Sequence, residues 1–491
     1  MKPAFLHLRY NPDGIISDGQ ESYRHGNAID QADGSRNGVY AEWSWDGTTL
    51  AAGNCRYGMS PLFYYSGKDE FCISNSIPKI LECGAPNEWD NDAMAVFIRR
   101  HTFLGEDTPF KQIRAMPTNA KLTWSNGRLN LTHESHTPKL QNLKHSEVVD
   151  GIIELFAQAI KRRLPQTDDF CVPLTGGKDS RHILLELVRQ SAFPKACVTA
   201  NFPKPLTNED SEIAQLLASR LGLPHIVLPP VGFGITCEKR KNLHTNFCTL
   251  DHGWALPLVD FLQANTAVSY DGIGLDVFFN TIWYSDKRAR LYQKGAFEAL
   301  ASDLLGDSEK ALSIILDKEA YKRFNRARAI TRLVEELKLH ADKPHPIAAF
   351  QFWSRTRRTT STFTFGLQHT IPLVHTPFLD NDLFDFVSSC NDHSRIAVHA
   401  NVLSKAYPEF DEFPYTSTQI SPPPNSWQVR RTLIHVLINL LSILKKDSLI
   451  RTGSIYSRFL KGSLTGRNSD FKWLQPLLIN HINQMENYKF I

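Results

Sequence analysis

The sequence predicts an α/β protein with a strand-rich N-terminal region, a parallel-sheet region and a helical C-terminal region. Three observations carry this. Residues 1–134 hold short β-prone runs separated by Gly, Asp, Asn and Pro. From about residue 146, apolar runs alternate with amphipathic stretches, the mark of a parallel sheet. After about residue 285 helical patterning dominates. The chain has 491 residues, more than one typical core supports, so two or three domains are expected.

The elements follow in order. Val39–Trp45, Thr49–Ala52, Leu62–Tyr65 and Phe71–Ser74 read as strands. Lys121–Trp124 and Leu129–Thr132 flank Ser125-Asn126-Gly127, a hairpin signal. Residues 135–145 are polar, contain Pro138 and read as a linker. A helix is expected from Ser146, with Ser146 as cap and Glu147 in its first turn. Val149, Ile152, Ile153, Phe156 and Ile160 form its apolar stripe, and Pro165 ends it. Phe170–Leu174 is an apolar strand, and Arg181–Arg189 a helix. Ala196–Phe202 is a strand, Ser211–Leu221 a helix closed by Gly222, and His225–Leu228 and Ala267–Tyr270 are strands. The expected units are 1–134, the linker 135–145, a unit 146–420 and a helical extension 421–491.

Composition narrows the function. Hydrophobic residues make up 42% and charged residues 22%, as in a soluble globular protein. A net charge of +4 is small for this length, and no basic tract carries interleaved aromatics, so nucleic acid is not expected. The eight cysteines show neither C-x-x-C nor zinc spacing. No apolar run reaches the roughly 20 residues that span a bilayer, and Met1-Lys2-Pro3-Ala4 opens no signal-peptide pattern. The expectation is a reducing cytoplasm. Leu433–Leu444 reads as an amphipathic helix, suited first to core packing and second to a protein partner or membrane surface.

The most informative stretch is Leu174-Thr175-Gly176-Gly177-Lys178-Asp179-Ser180, between a strand and a helix. Backbone N–H groups of such a turn and the helix dipole together attract phosphate. Gly176 and Gly177 let the backbone approach an anion. Asp179 would repel a phosphate unless a cation lay between, so it suggests a magnesium ligand. The pattern is neither a Walker A loop nor a dinucleotide fingerprint. It resembles the S-G-G-x-D-S loop of N-type ATP pyrophosphatases, with Thr175 at the first Ser. A second glycine loop, Asp271-Gly272-Ile273-Gly274-Leu275-Asp276, also follows a strand. Asp276 and Asp179 could then hold magnesium against a polyphosphate.

These loops resemble the class B asparagine synthetase family, and the resemblance runs through most of the chain. The family's S-G-E-G-x-D-E appears as residues 271–277, DGIGLDV. Its R-x-P-F-L-D block appears as Val374-His375-Thr376-Pro377-Phe378-Leu379-Asp380. Asn208–Ala214 resembles its acidic stretch. Gly58–Tyr64, Ser74–Leu81 and Thr108–Ile113 resemble blocks of its glutaminase domain. The resemblance implies an N-terminal αββα glutaminase-like (Ntn-type) domain, then an ATP pyrophosphatase (PP-loop) domain. It implies ATP and magnesium as cofactors. Leu174, Thr175, Gly176, Gly177, Lys178, Asp179, Ser180, Thr199, Asp271 and Gly272 would bind nucleotide, and Asp179 and Asp276 would be the catalytic metal ligands.

The chain also departs from the family. Glutamine-using members carry Cys at position 2, where this chain has Lys2. The Arg that grips glutamine's carboxylate aligns with Asn54, ahead of Cys55. Both losses predict an inactive glutaminase domain, with Cys55 the one conceivable replacement nucleophile. The family's Glu beside the attacking ammonia aligns with Ile273, a position that β-lactam synthetases and lasso-peptide cyclases also change. The family's Lys near the end of the synthetase domain has no match in Glu412–Thr418; Lys405, Arg430 and Arg431 are the candidates to replace it. The expected reaction is AMP-forming amide ligation of a peptide or small-molecule carboxylate and amine, including macrolactam closure. The alternatives are an ammonia-fed asparagine synthetase and a non-catalytic protein that binds ATP or a partner.

Overall fold

The computed structural model describes residues 2–12, 14–134, 137–202, 208–230, 235–279, 285–391, 397–416, 425–441, 448–466 and 475–489. The N-terminal strands are β1 (Phe5–Asn11), β2 (Gly14–Gly19), β3 (Ser22–Asp30), β4 (Arg36–Trp45), β5 (Thr49–Asn54), β6 (Phe63–Ser66), β7 (Glu70–Ser74), β8 (Ile113–Ala115), β9 (Ala120–Ser125) and β10 (Arg128–His133). They form two antiparallel five-stranded sheets, ordered β2-β1-β7-β6-β8 and β10-β9-β5-β4-β3. Leu6, Leu8, Trp43, Leu50, Phe71, Ile73 and Trp124 fill the space between them. The β9–β10 hairpin turns at Asn126 and Gly127, both with positive φ, as its sequence predicts. Strands β1, β2, β3 and β8 escape a pattern search because polar residues and glycines interrupt them.

Two helices, α1 (Ile77–Glu82) and α2 (Asn91–Arg100), cover the first sheet. Ser76 caps α1 by accepting the Lys79 N–H, and Asp90 caps α2 by accepting from Asp92 and Ala93. The expected αββα arrangement is therefore met on one side only. On the second sheet, Ser44, Ala51, Lys121 and Thr123 point to solvent. That polar-out alternation gives no apolar face for a fourth layer.

The helix α3 (His145–Lys161) buries Val148, Val149, Ile152, Phe156 and Ile160. It starts before Ser146, and Glu147 closes its end by accepting the Lys144 N–H at 2.7 Å. A parallel five-stranded sheet follows, from β11 (Phe170–Pro173), β12 (Ala196–Ala200), β13 (His225–Leu228), β14 (Val268–Tyr270) and β15 (Leu373–His375), ordered β13-β12-β11-β14-β15. The chain runs outward one way from β11 and then returns to its other side. The switch point between β11 and β14 is where open α/β sheets place ligands. Helices α4 (Lys178–Arg189) and α5 (Glu209–Arg220) link the first three strands, and Gly222 follows α5 with φ +67°. The edge strand β15 is only three residues long and carries no pattern of its own.

The sequence boundary near residues 135–145 separates sheets but not cores. One buried cluster joins Phe97, Phe103 and Phe110 to Leu312, Leu333, Leu433, Phe459 and Ile482. The helix Ser426–Leu441 lies where an amphipathic helix was expected, with 442–444 outside the described residues. It buries Val429 and Leu433 and exposes Trp427, Ile434 and Ile438. No described helix is long and apolar enough to cross a membrane. None of the eight cysteines forms a disulfide.

Polar contacts fix the two halves together. Asp380, fully buried, accepts from Arg162, from Arg163 at 2.7 Å and from Asn37 of β4 at 2.9 Å. Burial pushes this carboxyl up, but the two guanidiniums outweigh it and hold it below its usual range. Asp380→Ala leaves buried Arg163 without its carboxylate, so we expect a loss of about 3–5 kcal/mol in denaturant unfolding.

Candidate nucleotide and metal site

The two glycine loops meet at the switch point. The first runs from β11 to the start of α4, whose first residue follows Gly177 with no side-chain cap. That leaves the opening turn of α4 as an anion-attracting end. The second follows β14. A Cβ on Gly272 would lie 2.7 Å from the Asp179 Cβ, so only glycine lets the loops touch. Asp276 begins a short helix, Asp276–Phe279, beside them.

Asp179 and Asp276 are brought together as expected. Burial raises the Asp179 carboxyl to about 7, and the neighbouring Asp276 charge adds to the shift. Burial also raises Asp276. The Asp179 side chain nevertheless keeps 36% of its surface open, so solvent reaches it. Among the described residues no Lys or Arg forms an ion pair with either carboxylate. His399 stands 3.6 Å from Asp179 but is driven to about 3 by burial, so it is neutral. Lys178 acts on Asp179 and Arg355 on Asp276 at a distance, but burial outweighs both. Two neighbouring carboxylates with hard oxygen donors fit a magnesium ion that keeps several waters.

The expected nucleotide contacts divide. Thr175, Gly176, Gly177, Lys178 and Ser180 line the loop. The amides of Thr175, Gly176 and Gly177 are not free, contrary to the simplest reading of the turn. The Gly176 N–H donates to Asp210 Oδ1 at 2.9 Å, and the Gly177 N–H to Thr175 Oγ1 at 3.2 Å. The Thr175 N–H donates to Ser180 Oγ at 3.1 Å. Leu174 and Thr199 are buried, and the Thr199 hydroxyl donates to the Leu174 carbonyl at 2.5 Å. They brace the strand end rather than face the cleft. Asp271 is likewise engaged: it accepts from the Ile273 N–H, Thr364 and Gln368.

Thr364 and Gln368 lie on and just beyond a wide helix, 352–360 and 362–367. Ser354, Ser361 and Thr362 back-bond to carbonyls of the preceding turn along it, which competes with the regular ladder. Arg355 on this helix sits close enough to draw the Asp276 carboxyl down against burial. Its Arg357 and Arg358 reach the carbonyls of Met116 and Asp107 in the N-terminal half.

Residues 413–416 form a strap over the loop that sequence reasoning noticed only as a stretch missing its lysine. Arg181 donates to the carbonyls of Phe413 and Pro414. The Tyr415 ring lies 4.7 Å from the Lys178 ammonium and 4.1 Å from the Arg181 guanidinium. Thr416 donates its hydroxyl to Asp210 at 2.6 Å and its N–H to Gly176 O at 3.1 Å. The candidates Lys405, Arg430 and Arg431 are elsewhere: Lys405 pairs with exposed Asp150, and both arginines sit on helix Ser426–Leu441. The cations at the loop are Lys178 and Arg181. Their i,i+3 spacing on one helix face is the sequence signal that would have found Arg181. Ser417 and Thr418 lie outside the described residues.

The raised Asp179 carboxyl has a consequence for stability. Between its ordinary value of 3.8 and about 7, the folded protein holds a proton that the unfolded chain releases. Stability from this group is therefore greatest below about pH 4 and falls as pH rises to about 7. In metal-free protein, Asp179→Asn should raise the melting temperature at pH 8 by about 1–3 °C and leave it unchanged at pH 4, read by calorimetry against the parent at each pH.

A comparison with curated proteins finds no match. Residues 151–230, from within α3 through β13 and including the phosphate loop, match the family model described as Asparagine synthase. The match supports a place for this segment in the asparagine synthetase superfamily of ATP-dependent ligases.

Proposed function

We propose that the protein is an AMP-forming amide ligase. The reading rests on the adjacent carboxylates Asp179 and Asp276 beside a phosphate loop at the switch point. Nucleotide lies across Thr175–Ser180, with Lys178 and Arg181 facing its phosphates. Asp179 and Asp276 would hold magnesium, which when bound would neutralise the leaving pyrophosphate. A carboxylate of the substrate attacks the α-phosphorus, and an amine then displaces AMP. The open end of α4, joined by loop amides that exchange their present partners, stabilises the charge that develops. The unit 146–420 carries this chemistry, with 421–491 as a helical extension. Carboxylate-dependent exchange of pyrophosphate into ATP, screened over a panel that includes aspartate, tests it. Asp179→Asn and Asp276→Asn should each slow exchange by at least about 10²-fold. Full exchange in both variants overturns the assignment.

On this reading the N-terminal region, 1–134, keeps the glutaminase-like sandwich without its chemistry. Lys2 is exposed and carries neither thiol nor hydroxyl. The Asn54 side chain is used up between Pro117 O at 2.7 Å and the Ala120 N–H at 2.9 Å. Cys55 is buried, and burial pushes its thiol up, away from the thiolate. In the second loop, buried Ile273 can neither attract ammonium nor accept the proton that attacking ammonia must lose, and its apolar side chain suits a larger organic amine. We expect no glutamate release from glutamine. With aspartate, ammonium and ATP we expect no asparagine above an ATP-only control. Efficient asparagine formation would restore the ammonia-fed alternative.

A further inference from the structure

A second cluster of reactive groups lies on the helix-facing side of the first sheet, outside the nucleotide site. His7 on β1 and Cys72 on β7 are directly opposed across the strands. The His7 Nε2 lies 3.0 Å from Glu70 Oε2 on the same neighbouring strand. Cys83 follows the last turn of α1 as its C-cap, near enough that the His7 imidazole and the Cys72 thiol both act on its thiol. The result is a row of four groups: Glu70 orients His7, His7 lies across from Cys72, and Cys83 stands beside both. That order is the arrangement of an activated nucleophile, its base and its orienting carboxylate, with a second thiol added.

Accessibility singles out the same residue. Among the eight cysteines only Cys83 and Cys237 are not buried. Burial pushes Cys237 up, as it does the enclosed Cys171, Cys197 and Cys248. Cys83 goes the other way. Its hydrogen bond from Cys72 comes first, and the hydrogen bond from His7 adds to it, against burial. The Lys79 ammonium acts in the same direction. The opposing charges nearby are Glu70, which His7 and Tyr65 engage, and Glu82, which pairs with Lys79 at 3.4 Å and faces Tyr488 of the last helix.

We propose that Cys83 and Cys72 form an oxidant-responsive dithiol, with Cys83, held by His7 and Glu70, as the thiol that reacts with a hydroperoxide and Cys72 as the thiol that resolves it. In the first step Cys83 sulfur attacks the peroxide. An S–O bond forms, the O–O bond breaks, and hydroxide or alkoxide leaves and takes a proton. In the second step Cys72 sulfur attacks the Cys83 sulfenic acid. An S–S bond forms, the S–O bond breaks, and water leaves with the Cys72 proton. Two electrons pass from the two thiols to the peroxide, and a dithiol reductant reverses the change. The disulfide would tie the middle strand pair of the first sheet to the end of α1. His7 acts as a positioning residue, not as a group that meets the peroxide.

The test uses the full chain, reduced, with Cys237 as internal control. At pH 6 an ordinary thiol near 8.5 is ionised to well under about 1%, whereas a thiol at or below 6 is at least half ionised; after its lower intrinsic nucleophilicity is counted, the advantage is on the order of tenfold. We therefore expect iodoacetamide at pH 6 to label Cys83 about tenfold faster than Cys237, read by peptide mass spectrometry. Hydrogen peroxide should remove two of the eight free thiols and yield a Cys72–Cys83 disulfide peptide. Cys72→Ser should stop at a sulfenic acid that dimedone traps. His7→Gln should move the pH midpoint of Cys83 labelling upward by about one unit or more. Equal or faster labelling of Cys237 in the parent protein, or peroxide treatment that leaves Cys72 and Cys83 reduced, overturns the proposal without recourse to any variant.

Discussion

The buried ion cluster at Asp380 is the constraint from which the rest of the arrangement follows. Its carboxylate binds the two arginines that end α3 and an asparagine of β4, and it also accepts the Asp382 N–H to start the helix Asn381–Ser389. One side chain thus fixes the N-terminal sandwich, the helix that precedes the phosphate loop and the segment after β15. Removing the Arg163 guanidinium and the Asp380 carboxylate from water is costly, and each is tolerable only because the other is there, with partly exposed Arg162 adding to the pair. His375 on β15 adds a second tie, 2.9 Å from Asn27 of β3. The parallel sheet therefore has its edge strand placed by the antiparallel sheets, and its switch point inherits that placement.

The loop at the switch point satisfies its own polar groups. Asp210 supplies a carboxylate to the Gly176 amide, and Thr416 holds that carboxylate from above. Lys178 and Arg181 meanwhile rest on the face of Tyr415. Each is a polar group that is costly to leave unsatisfied where it is partly buried. On the proposed reading, binding is an exchange of partners, so a polyanion must outcompete contacts already made.

Much of this is legible in the sequence, and the reasons for the rest are physical. The loop Thr175–Ser180, the Asp179–Asp276 pair and the inner parallel strands all follow from short-range patterns, because glycine turns and apolar runs are local. The strands β1, β2 and β3 are not legible because polar residues and glycines break their alternation, and the edge strand β15 is not legible because three residues carry no pattern and its partner β14 lies far back in the chain. The fourth layer expected over the second sheet fails for a reason the sequence does contain: β4, β5 and β9 alternate polar residues outward. Thr199 and Asp271 are sequence candidates for ligand contact whose side chains hold the scaffold instead. Arg181, Asp210, Tyr415 and Thr416 come together only in the fold.

The shared core between the sandwich helices and the C-terminal helices has an evolutionary consequence. Phe97 of α2 stacks on His481 of the last helix at 5.1 Å, and Arg99 is bonded to Glu309. A lineage could let exposed positions of residues 1–134, such as Lys2, vary at little cost. It could not discard the segment, because that would strip the cover from the apolar surface that the remaining helices share. Selection on such a region acts through solubility and folding yield, so its interior stays constrained whatever its surface comes to do.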